Sequence, residues 1–414
     1  MNKHLDKKIS QIQARIKLPA SKSLSNRALI LNALAKNPYP IENLSDSDDT
    51  VVMINALNST KNFINVGAAG TAMRFLTAYF ALKEGEWTLT GSERMKQRPI
   101  KLLVDALNSI GGKIEYLEKE GFPPLKIYGN DLSGGIVHLN GGISSQYISA
   151  LMMIAPYMKQ GLEIVLEGKI ISKPYIEMTK NLMKEFGAKV KFENNRIIIP
   201  QQVYQPIHYE VESDWTAASY WYETLSIVGK GEIFLEGLNE NSYQGDSKVA
   251  QLFEMLGVST HYLSEGVLLT PTGRYIRKFE YNFIDQPDLA QTFVVTCCLL
   301  NIPFHFQGLE SLKIKETNRV AALINELEKL GYILQEPNEG ELVWSGEKKS
   351  ILLKEKPISI GTYEDHRMAM AFAPVSFIMP ITIENAEVVS KSYPHFWEDF
   401  EKMNNPEASL EEFF

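Results

Sequence analysis

The chain has 414 residues, of which 44% are hydrophobic and 22% are charged. This balance is ordinary for a folded protein and excludes wholesale disorder, and the length predicts two or three domains. The formal net charge of −8 argues against a general binder of nucleic acid or of anionic membranes, since either would need a basic face.

The two cysteines, Cys297 and Cys298, are neighbours inside an apolar run and cannot join distant segments. No disulfide framework is therefore expected, and the chain fits a reducing compartment. The first residues, MNKHLDKKISQIQ, have no apolar core, so they are not expected to form a signal peptide. The longest apolar runs, YISALMMIAPYM and FVVTCCLL, are shorter than the roughly 20 residues that cross a bilayer. We therefore expect a cytoplasmic protein in which these runs form buried helices.

One pattern recurs four times along the chain: an amphipathic helix, then a glycine, then an alternating strand. A glycine at that place predicts a helix end in a left-handed cap. In the second copy, the pair Asn194–Asn195 interrupts the alternation, which predicts a hairpin. We interpret the pattern as a repeated αββ-containing unit, and chance similarity among helix–hairpin units is the alternative. The glycines are Gly111, Gly187, Gly257 and Gly331.

Two short segments rich in small residues could carry the chain from one domain to another. They are LPASK at 18–22 and VESDWTAAS at 211–219. We predict one discontinuous lobe from residues 1–20 and 214–414, and a second lobe from residues 21–213. The terminal NNPEASLEEFF predicts an acidic surface tail.

Cations stand at four predicted helix N-termini, where they are locally unfavourable. Because a helix N-terminus already carries about half a positive charge, a nearby Lys or Arg costs roughly a few tenths of a kcal/mol or more. A bound anion reverses that sign, since free backbone N–H groups also point outward there. A ligand with several negative groups would explain all four. The segments are SKSLSNR, GAAGTAMR, KETNR and YEDHR, with Ser21 or Ser23, Thr71 and Asp365 as candidate N-caps.

Each segment taken alone also has a simpler interpretation. KETNR can be a solvated helix face in which Glu316 and Arg319 form an i,i+3 pair worth about 0.3 kcal/mol, and the others can be capped helix starts or tight turns. Two further segments favour the anion interpretation: GSERMKQRPIK concentrates cations around a proline, and GGISSQ offers hydroxyls and an amide. The sequence has no Cys/His cluster and no phosphate-loop or dinucleotide motif, so neither zinc nor nucleotide binding is predicted.

Seven of the motifs occur in a fixed order from about residue 10 to residue 400. They are LPASKSLSNRALIL, GAAGTAMRF, RMKQRPI, SSQYISALMM, SKPYIEMT, KETNR and DHRMAMAF. In this order the chain closely resembles the 5-enolpyruvylshikimate-3-phosphate synthases. The resemblance implies an α/β fold of two similar lobes, each of three βαβαββ-type repeats, with the active site in the cleft between the lobes.

The resemblance also implies a reaction of the shikimate pathway of aromatic amino-acid biosynthesis. The enolpyruvyl group of phosphoenolpyruvate is transferred to the 5-hydroxyl of shikimate 3-phosphate, and phosphate is released. Two phosphates and two carboxylates would then meet in one site, which is the polyanionic ligand that the cations predict. The resemblance implies no metal or organic cofactor, a monomer, and no partner beyond the two small substrates, whether nucleic acid or membrane.

Individual residues are assigned by resemblance only. The residues implied for shikimate 3-phosphate are Lys22, Ser23, Arg27, Ser144, Ser145, Ser172, Tyr175 and Lys315. Those implied for phosphoenolpyruvate are Lys22, Gly70, Arg98, Gln146, Arg319, Arg367 and Lys391. Asp288 and Glu316 are the carboxylates that the resemblance places for proton transfer, and Asp288 is also counted among the substrate-binding residues. Lys22, which is implied to touch both substrates, is counted with them as catalytic.

The sequence departs from the family pattern at three positions and leaves three alternatives open. Ala68 and Ser311 stand where Asn is frequent, and Asn318 stands where Asp is frequent, which puts substrate affinities in question. Asp288 can instead be a helix N-cap, since Pro287 restrains the chain before a buried helix.

The other two alternatives concern the whole protein. The sister transferase that acts on UDP-N-acetylglucosamine typically has Asn after the early Lys and a loop cysteine, whereas here Ser23 follows Lys22 and both cysteines lie in an apolar run. A module that only binds polyanions is disfavoured by Asp288 and Glu316, because carboxylates repel anionic ligands.

Overall fold

The computed structural model describes residues 1–7, 9–350 and 357–403, so the predicted acidic tail lies outside the described residues. The strands are β1 Lys3–Leu5, β2 Ile12–Lys17, β3 Ile41–Glu42, β4 Phe63–Asn65, β5 Gly85–Thr90, β6 Lys113–Tyr116, β7 Leu125–Gly129, β8 Gly135–Asn140, β9 Leu162–Glu167, β10 Lys191–Glu193, β11 Arg196–Ile199, β12 Tyr209–Glu210, β13 Gly231–Glu236, β14 Leu256–Leu263, β15 Gly266–Tyr275, β16 Phe279–Asn282, β17 Phe304–Gln307, β18 Leu342–Trp344, β19 Ile358–Ile360 and β20 Ile381–Ile383. The helices are α1 Lys22–Leu34, α2 Asp48–Leu57, α3 Gly70–Leu82, α4 Lys101–Ser109, α5 Ser145–Ile154, α6 Lys173–Glu185, α7 Trp215–Val228, α8 Val249–Glu254, α9 Ala290–Leu299, α10 Arg319–Lys329, α11 His366–Phe372 and α12 Phe396–Lys402.

The chain divides into two compact units. Unit 1 combines Met1–Pro19 with the chain from Glu212 onward, and unit 2 is Ala20–Val211. The changes of lobe predicted after residue 20 and after residue 213 lie beside these boundaries. Each unit has its own buried apolar core.

Unit 2 contains two four-stranded sheets of identical topology. The strand orders are β4-β5-β7-β6 and β8-β9-β11-β10. In each, a helix joins a parallel pair and an antiparallel hairpin follows, so the chain order is βαβαββ. Alternation buries Val137 and Leu139 of β8 while Ile136 and His138 face outward. The short parallel pair β3–β12 forms the third sheet of this unit.

Unit 1 repeats the same strand arrangement. Its four-stranded sheet has the order β14-β15-β13-β2, with β2 and β13 parallel and β14 and β15 antiparallel. The sheets β16-β17-β18 and β1-β20-β19 each keep a parallel pair and one antiparallel strand. The helices pack by apolar spacing, as in α10, where Val320, Leu323 and Leu327 are buried at the i, i+3, i+7 positions.

The recurring glycines take the backbone conformation that the pattern predicts. Gly111, Gly187 and Gly331 follow α4, α6 and α10 with φ of 102°, 80° and 89°, so these left-handed caps are confirmed. Gly257 also has a positive φ of 87°, but it lies inside β14, because α8 already ends at Glu254. The predicted hairpin is confirmed: β10 and β11 pair around Asn194, whose φ is 54°.

Both long apolar runs form buried helices, as predicted. They lie in α5 and α9, and every residue of α9 is buried, including Cys297 and Cys298, which are free thiols. Within the described ranges, no helix combines the length and the apolar character that crossing a bilayer requires.

Candidate active site

In unit 2, the predicted site residues gather at helix N-termini. Only α5 of these helices has a side-chain N-cap, in which Ser144 Oγ accepts from the backbone N–H of Gln146 at 3.4 Å. The predicted cap at Thr71 is wrong, because α3 begins one residue earlier and Ala69 holds the N-cap position. First-turn N–H groups without a side-chain cap suit an external acceptor. The helices begin at Lys22 (α1), Gly70 (α3), Ser145 (α5) and Lys173 (α6).

Arg27 ties three of these helices together. From α1, its Nε donates to Thr179 Oγ1 of α6 at 2.7 Å and its Nη2 donates to Ser149 Oγ of α5 at 3.3 Å. Its Nη1 donates to the carbonyl of Ser23 at 2.8 Å. Burial lowers the pKa of Arg27 to about 10, so the guanidinium stays charged at neutral pH. All three acceptors are neutral oxygens, and in the part of the chain that the structure describes no carboxylate pairs with this guanidinium, which lies 5.3 Å from the centroid of the Phe75 ring.

The start of α6 follows a backbone turn at Ser172, which is buried and has a left-handed φ of 53°. The Ser172 carbonyl accepts from the backbone N–H of Tyr175 at 3.1 Å. The Tyr175 carbonyl in turn accepts from Thr179 Oγ1 at 2.9 Å, so the turn connects to the hydroxyl that Arg27 contacts.

Gly70 lies directly against Arg98. A Cβ built on Gly70 would stand 2.6 Å from Arg98 Nη1, so only glycine leaves room for the guanidinium in this position. The Gly70 carbonyl accepts from Arg74 Nη1 at 3.0 Å, which orders the first turn of α3. Beside it, Gln146 Nε2 of α5 donates to Thr71 Oγ1 at 3.2 Å. The structure therefore brings the predicted residues Gly70, Arg98 and Gln146 into one neighbourhood.

Lys22 differs from the other predicted cations of unit 2. Its Nζ lies 3.5 Å from Oδ2 of Asp49, a residue of α2 with a nearly buried side chain. The sequence carries no signal that singles out Asp49 among the acidic residues of SDSDDT. Lys22 is thus held by a carboxylate, whereas Arg27 is held by hydroxyls.

In unit 1, Arg319 is the centre of a network of alternating charges. Its side chain is 2% exposed and donates to three carboxylates. Nε donates to Asp365 Oδ2 at 2.6 Å, Nη1 to Asp288 Oδ1 at 3.1 Å, and Nη2 to Glu316 Oε2 at 3.0 Å. The carboxylates come from three different segments of the chain, so this one guanidinium fixes their relative positions.

Asp288 is not a helix N-cap, and that alternative is wrong. It lies in a single 3₁₀ turn, Pro287–Leu289, and the N-cap position of α9 belongs to Leu289. Besides Arg319, its carboxylate accepts from Arg367 Nη2 at 2.8 Å and lies 3.6 Å from Lys315 Nζ. Burial alone would raise the pKa of Asp288, but the charges of Arg367, Lys315 and Arg319 outweigh it and hold the pKa well below its usual value.

Glu316 and Lys391 complete the network. Lys391 Nζ donates to Glu316 Oε1 at 3.0 Å, while the other oxygen of Glu316 accepts from Arg319. Lys315 lies between the 3₁₀ turn Glu310–Ile314 and α10. Burial lowers its pKa, although the charge of Asp288 opposes this. Lys315, Glu316, Arg319, Arg367 and Lys391 therefore surround Asp288 and Asp365 in one cluster.

Two acidic residues in or near this cluster have roles that were not assigned from the sequence. Asp365 was predicted as an N-cap, which is confirmed because its Oδ1 accepts from the backbone N–H of Arg367 at 2.9 Å. Its second role, binding Arg319 from 46 positions along the chain, was missed. Asp246 was missed altogether: it is buried and accepts from Thr216 Oγ1 at 2.6 Å. Burial, and after it the charge of Asp288, raises the pKa of Asp246 to about 7.

The structure shows where two of the three departures from the family pattern, Asn318 and Ser311, lie. Asn318 holds the N-cap position of α10, where its Oδ1 accepts from the backbone N–H of Ala321 at 3.1 Å. Asn and Asp serve equally well as N-caps, so the helix start is preserved. Ser311 lies in the 3₁₀ turn that precedes Lys315. Within 1–7, 9–350 and 357–403, no group of three His, Cys, Asp or Glu side chains is placed to hold a metal ion.

Comparison with known proteins decides the family. The model of EPSP synthase (3-phosphoshikimate 1-carboxyvinyltransferase) matches residues 7–62 and 58–400. A curated relative of that name from Bacteroides fragilis (strain YCH46) is 53% identical over 395 residues, which is 95% of this chain and 96% of the relative. The chain belongs to the EPSP synthase family. The family resemblance predicted from the motifs is therefore confirmed.

More distant members agree with this membership. A 3-phosphoshikimate 1-carboxyvinyltransferase from Photobacterium damsela subsp. piscicida is 37% identical over 426 residues, covering 96% of this chain and 98% of the relative. The solved EPSP synthase from Acinetobacter baumannii superposes with a TM-score of 0.76 at 19% identity, covering 97% of this chain and 98% of that one. That likeness confirms the predicted α/β fold class of the EPSP synthases.

Proposed function

We propose that this chain transfers the enolpyruvyl group of phosphoenolpyruvate to the 5-hydroxyl of shikimate 3-phosphate and releases phosphate. The observation that carries the proposal is the cluster around Arg319, in which the four cations Lys315, Arg319, Arg367 and Lys391 meet three carboxylates. A site that only binds anions gains nothing from Asp288 and Glu316, because carboxylates repel the ligand. A site that moves protons beside anionic substrates needs them.

The substrate assignments rest on the family resemblance. For shikimate 3-phosphate we propose Lys22, Ser23, Arg27, Ser144, Ser145, Ser172, Tyr175 and Lys315. For phosphoenolpyruvate we propose Lys22, Gly70, Arg98, Gln146, Arg319, Arg367 and Lys391. The helix N-termini of unit 2 and the uncompensated charge of Arg27 support the assignment to the phosphate-bearing substrates.

The addition step requires two proton transfers and the elimination step requires one. The methylene carbon of phosphoenolpyruvate gains a proton while the 5-hydroxyl oxygen forms a bond to C2 and gives up its own proton. The tetrahedral adduct then loses a proton from the new methyl group as the C2–O bond to phosphate breaks. We assign these transfers to Asp288 and Glu316, with Lys22 beside both substrates, and the surrounding cations stabilise the departing phosphate.

The geometry provides a way to make Asp288 a stronger base once substrates bind. Without substrate, Arg367, Lys315 and Arg319 neutralise the Asp288 carboxylate and keep its pKa low. The phosphate and carboxylate groups of the substrates attract the same cations. As these cations turn to the substrates, Asp288 loses part of its compensation, so its pKa rises toward the range useful for accepting a proton.

We further propose that the protein acts as a monomer in the cytoplasm, with the two small substrates as its only partners. Two free buried cysteines support a reducing compartment, and the net charge of −8 disfavours nucleic acid and anionic membranes as partners. Size-exclusion chromatography with light scattering tests the oligomeric state, and a mass of twice the chain would contradict it.

Phosphate release tests the function directly. The purified chain is incubated with phosphoenolpyruvate plus shikimate 3-phosphate, with phosphoenolpyruvate alone, and with phosphoenolpyruvate plus UDP-N-acetylglucosamine. We expect release only in the first mixture. Release with the UDP-sugar would show the sister transferase activity, and no release in any mixture, while both substrates still bind, would leave a module that binds polyanions.

A further inference from the structure

The loop between β19 and α11 contains two adjacent residues in a strained backbone conformation. Tyr363 and Glu364 have φ of 54° and 57°, and neither is glycine. Side chains with a Cβ adopt this left-handed region reluctantly, so two in succession persist only where the surroundings fix them. The loop leads immediately into Asp365 and Arg367, two members of the charge cluster.

The buried carboxylate of Glu326 in α10 holds this loop through hydrogen bonds. The Glu326 side chain is 1% exposed. Its Oε2 accepts from the backbone N–H of Gly361 at 3.0 Å, and its Oε1 accepts from Tyr363 Oη at 2.7 Å. Lys329 Nζ donates to Oε2 at 2.6 Å and to the carbonyl of Ser359 at 3.1 Å. Both oxygens of one buried carboxylate are thus used to hold the loop and its preceding strand.

The same face of α10 holds both ends of the segment. Glu326 follows Arg319 by seven residues, which is two helical turns and about 10 Å along the axis. Arg319 binds Asp365 at one end, and Glu326 binds Gly361 and Tyr363 at the other. The helix therefore sets the position and direction from which the chain enters α11.

We propose that Glu326 is a positioning residue for the Asp365–Arg367 pair. It does not touch the charge cluster itself but holds the strained turn from which Arg367 reaches Asp288. Because Arg367 is assigned to phosphoenolpyruvate, the expected consequence for substrate affinity rests on the proposed function. Releasing the turn would move Arg367 without changing its charge.

Two variants separate this role from general damage. Glu326→Gln keeps the shape of the side chain but leaves one carbonyl oxygen for three donors. Tyr363→Phe removes only the hydroxyl that donates to Glu326. For Glu326→Gln we expect KM for phosphoenolpyruvate to rise roughly tenfold, since small misplacements of a binding group have effects of this size or larger. For Tyr363→Phe we expect about threefold, and for both the Kd of shikimate 3-phosphate should stay within about twofold.

Glu328→Gln is the matched control. Glu328 lies on the same helix and pairs with Lys349 at 2.6 Å, but both side chains are half exposed, so its loss should change neither constant. Equal losses for both substrates in Glu326→Gln, or no change in either, would overturn the proposal. If Glu326→Gln does not fold, Tyr363→Phe decides: an unchanged KM for phosphoenolpyruvate would overturn it.

Amide hydrogen exchange tests the positioning independently of turnover. We expect the amides of 361–367 to exchange at least about tenfold faster in Glu326→Gln than in Glu328→Gln. If the two variants differ in this way while the parent protein shows no transferase activity, the proposed function is rejected and the positioning role is kept. Equal exchange in the two variants would reject the positioning role even if the parent is fully active.

Discussion

The two units hold their buried cations in opposite ways. In unit 2, Arg27 donates to hydroxyls and a carbonyl, and among the described residues no carboxylate pairs with it. In unit 1, Arg319 donates to three carboxylates, and Arg367 shares one of them. A buried charge without a partner favours an anionic ligand, whereas a paired charge must exchange one partner for another.

The difference suggests that the two units have different chemical roles. Unit 2 keeps uncompensated charge and helix N-termini, which are suited to attracting a phosphate. Unit 1 contains the carboxylates that we assign to proton transfer, and these also neutralise its cations in the absence of substrate. Lys22 is the exception in unit 2, since Asp49 compensates it. Substitutions that remove equivalent groups from each unit therefore test whether the two units hold their cations differently.

The largest effect on stability is expected when Arg319 is replaced. Arg319→Met would leave Asp365, whose side chain is 0% exposed, without its main counter-charge. Removing one partner of a buried ion pair typically costs about 3–5 kcal/mol of the free energy of unfolding. Arg27→Met removes three hydrogen bonds to neutral groups, and Ser149 and Thr179 already bond each other at 2.8 Å, so we expect about 1–3 kcal/mol.

Urea unfolding of the two variants measures this difference. The comparison of the units holds if Arg319→Met loses clearly more free energy than Arg27→Met. Equal losses would mean that Arg27 is compensated as fully as Arg319.

A second pair of variants removes one assigned cation from each unit. Arg98→Ala and Arg367→Ala should each weaken phosphoenolpyruvate by about 1.5–3 kcal/mol, because charge-assisted hydrogen bonds are lost. Shikimate 3-phosphate should be affected less. Arg274→Ala, on the exposed part of β15, is the control. Substrate titration measures both affinities, and equal losses for the two substrates would show that the subsites are wrongly assigned.

Gly70→Ala is expected to act through Arg98. The added Cβ would stand 2.6 Å from Arg98 Nη1, so the guanidinium must move, and we expect phosphoenolpyruvate to weaken by about 1 kcal/mol. The double variant with Arg98→Ala gives the sharper test. If the two effects are coupled, Gly70→Ala should change affinity little once Arg98 is absent. Fully additive effects would contradict the proposed contact.

A further prediction concerns Asp246 and the pH dependence of stability. Burial and the charge of Asp288 raise its pKa to about 7 in the folded state, above the value of about 3.9 in an unfolded chain. The folded state therefore keeps a proton that the unfolded state releases. Its contribution to stability is complete below the unfolded pKa and is lost as the pH rises through about 7.

Asp246→Asn should remove this pH dependence while Thr216 still finds an acceptor oxygen. Between pH 4 and pH 8, we expect the free energy of unfolding of the parent to fall relative to that of the variant. Parallel curves for the two proteins would show that Asp246 titrates normally.

The sequence predicted features that depend on local chemistry. Left-handed glycine caps and the hairpin at Asn194 follow from backbone conformations that few other residues accept, so the repeated pattern located them. The cations at helix N-termini were also recognised from local chemistry, because a Lys or Arg is unfavourable there. The cap predicted at Thr71 is wrong, because α3 begins at Gly70 and Ala69 holds the N-cap position.

Partners that come from distant segments could not be predicted in this way. Asp365 binds Arg319 across 46 residues, and Glu326 binds Tyr363 across 37. Such contacts depend on how α10 packs beside the loop before α11, and no spacing in the sequence encodes this. Asp288 shows the same limit. The segment around Pro287 allowed a local cap beside the proton-transfer role, and its ion pairs with Arg319 and Arg367 come from distant segments.

Asp288→Asn, assayed for both binding and turnover, tests most directly whether Asp288 transfers a proton in the proposed reaction. The variant removes one negative charge beside Arg367, Lys315 and Arg319, so phosphoenolpyruvate should bind as well as before or more tightly. Turnover should fall by about 10²–10⁴, since Asn cannot accept a proton. Asp285→Asn, three residues earlier, should change neither. Turnover within about threefold of the parent, or a loss of phosphoenolpyruvate binding as large as the loss of turnover, would contradict a proton-transfer role for Asp288.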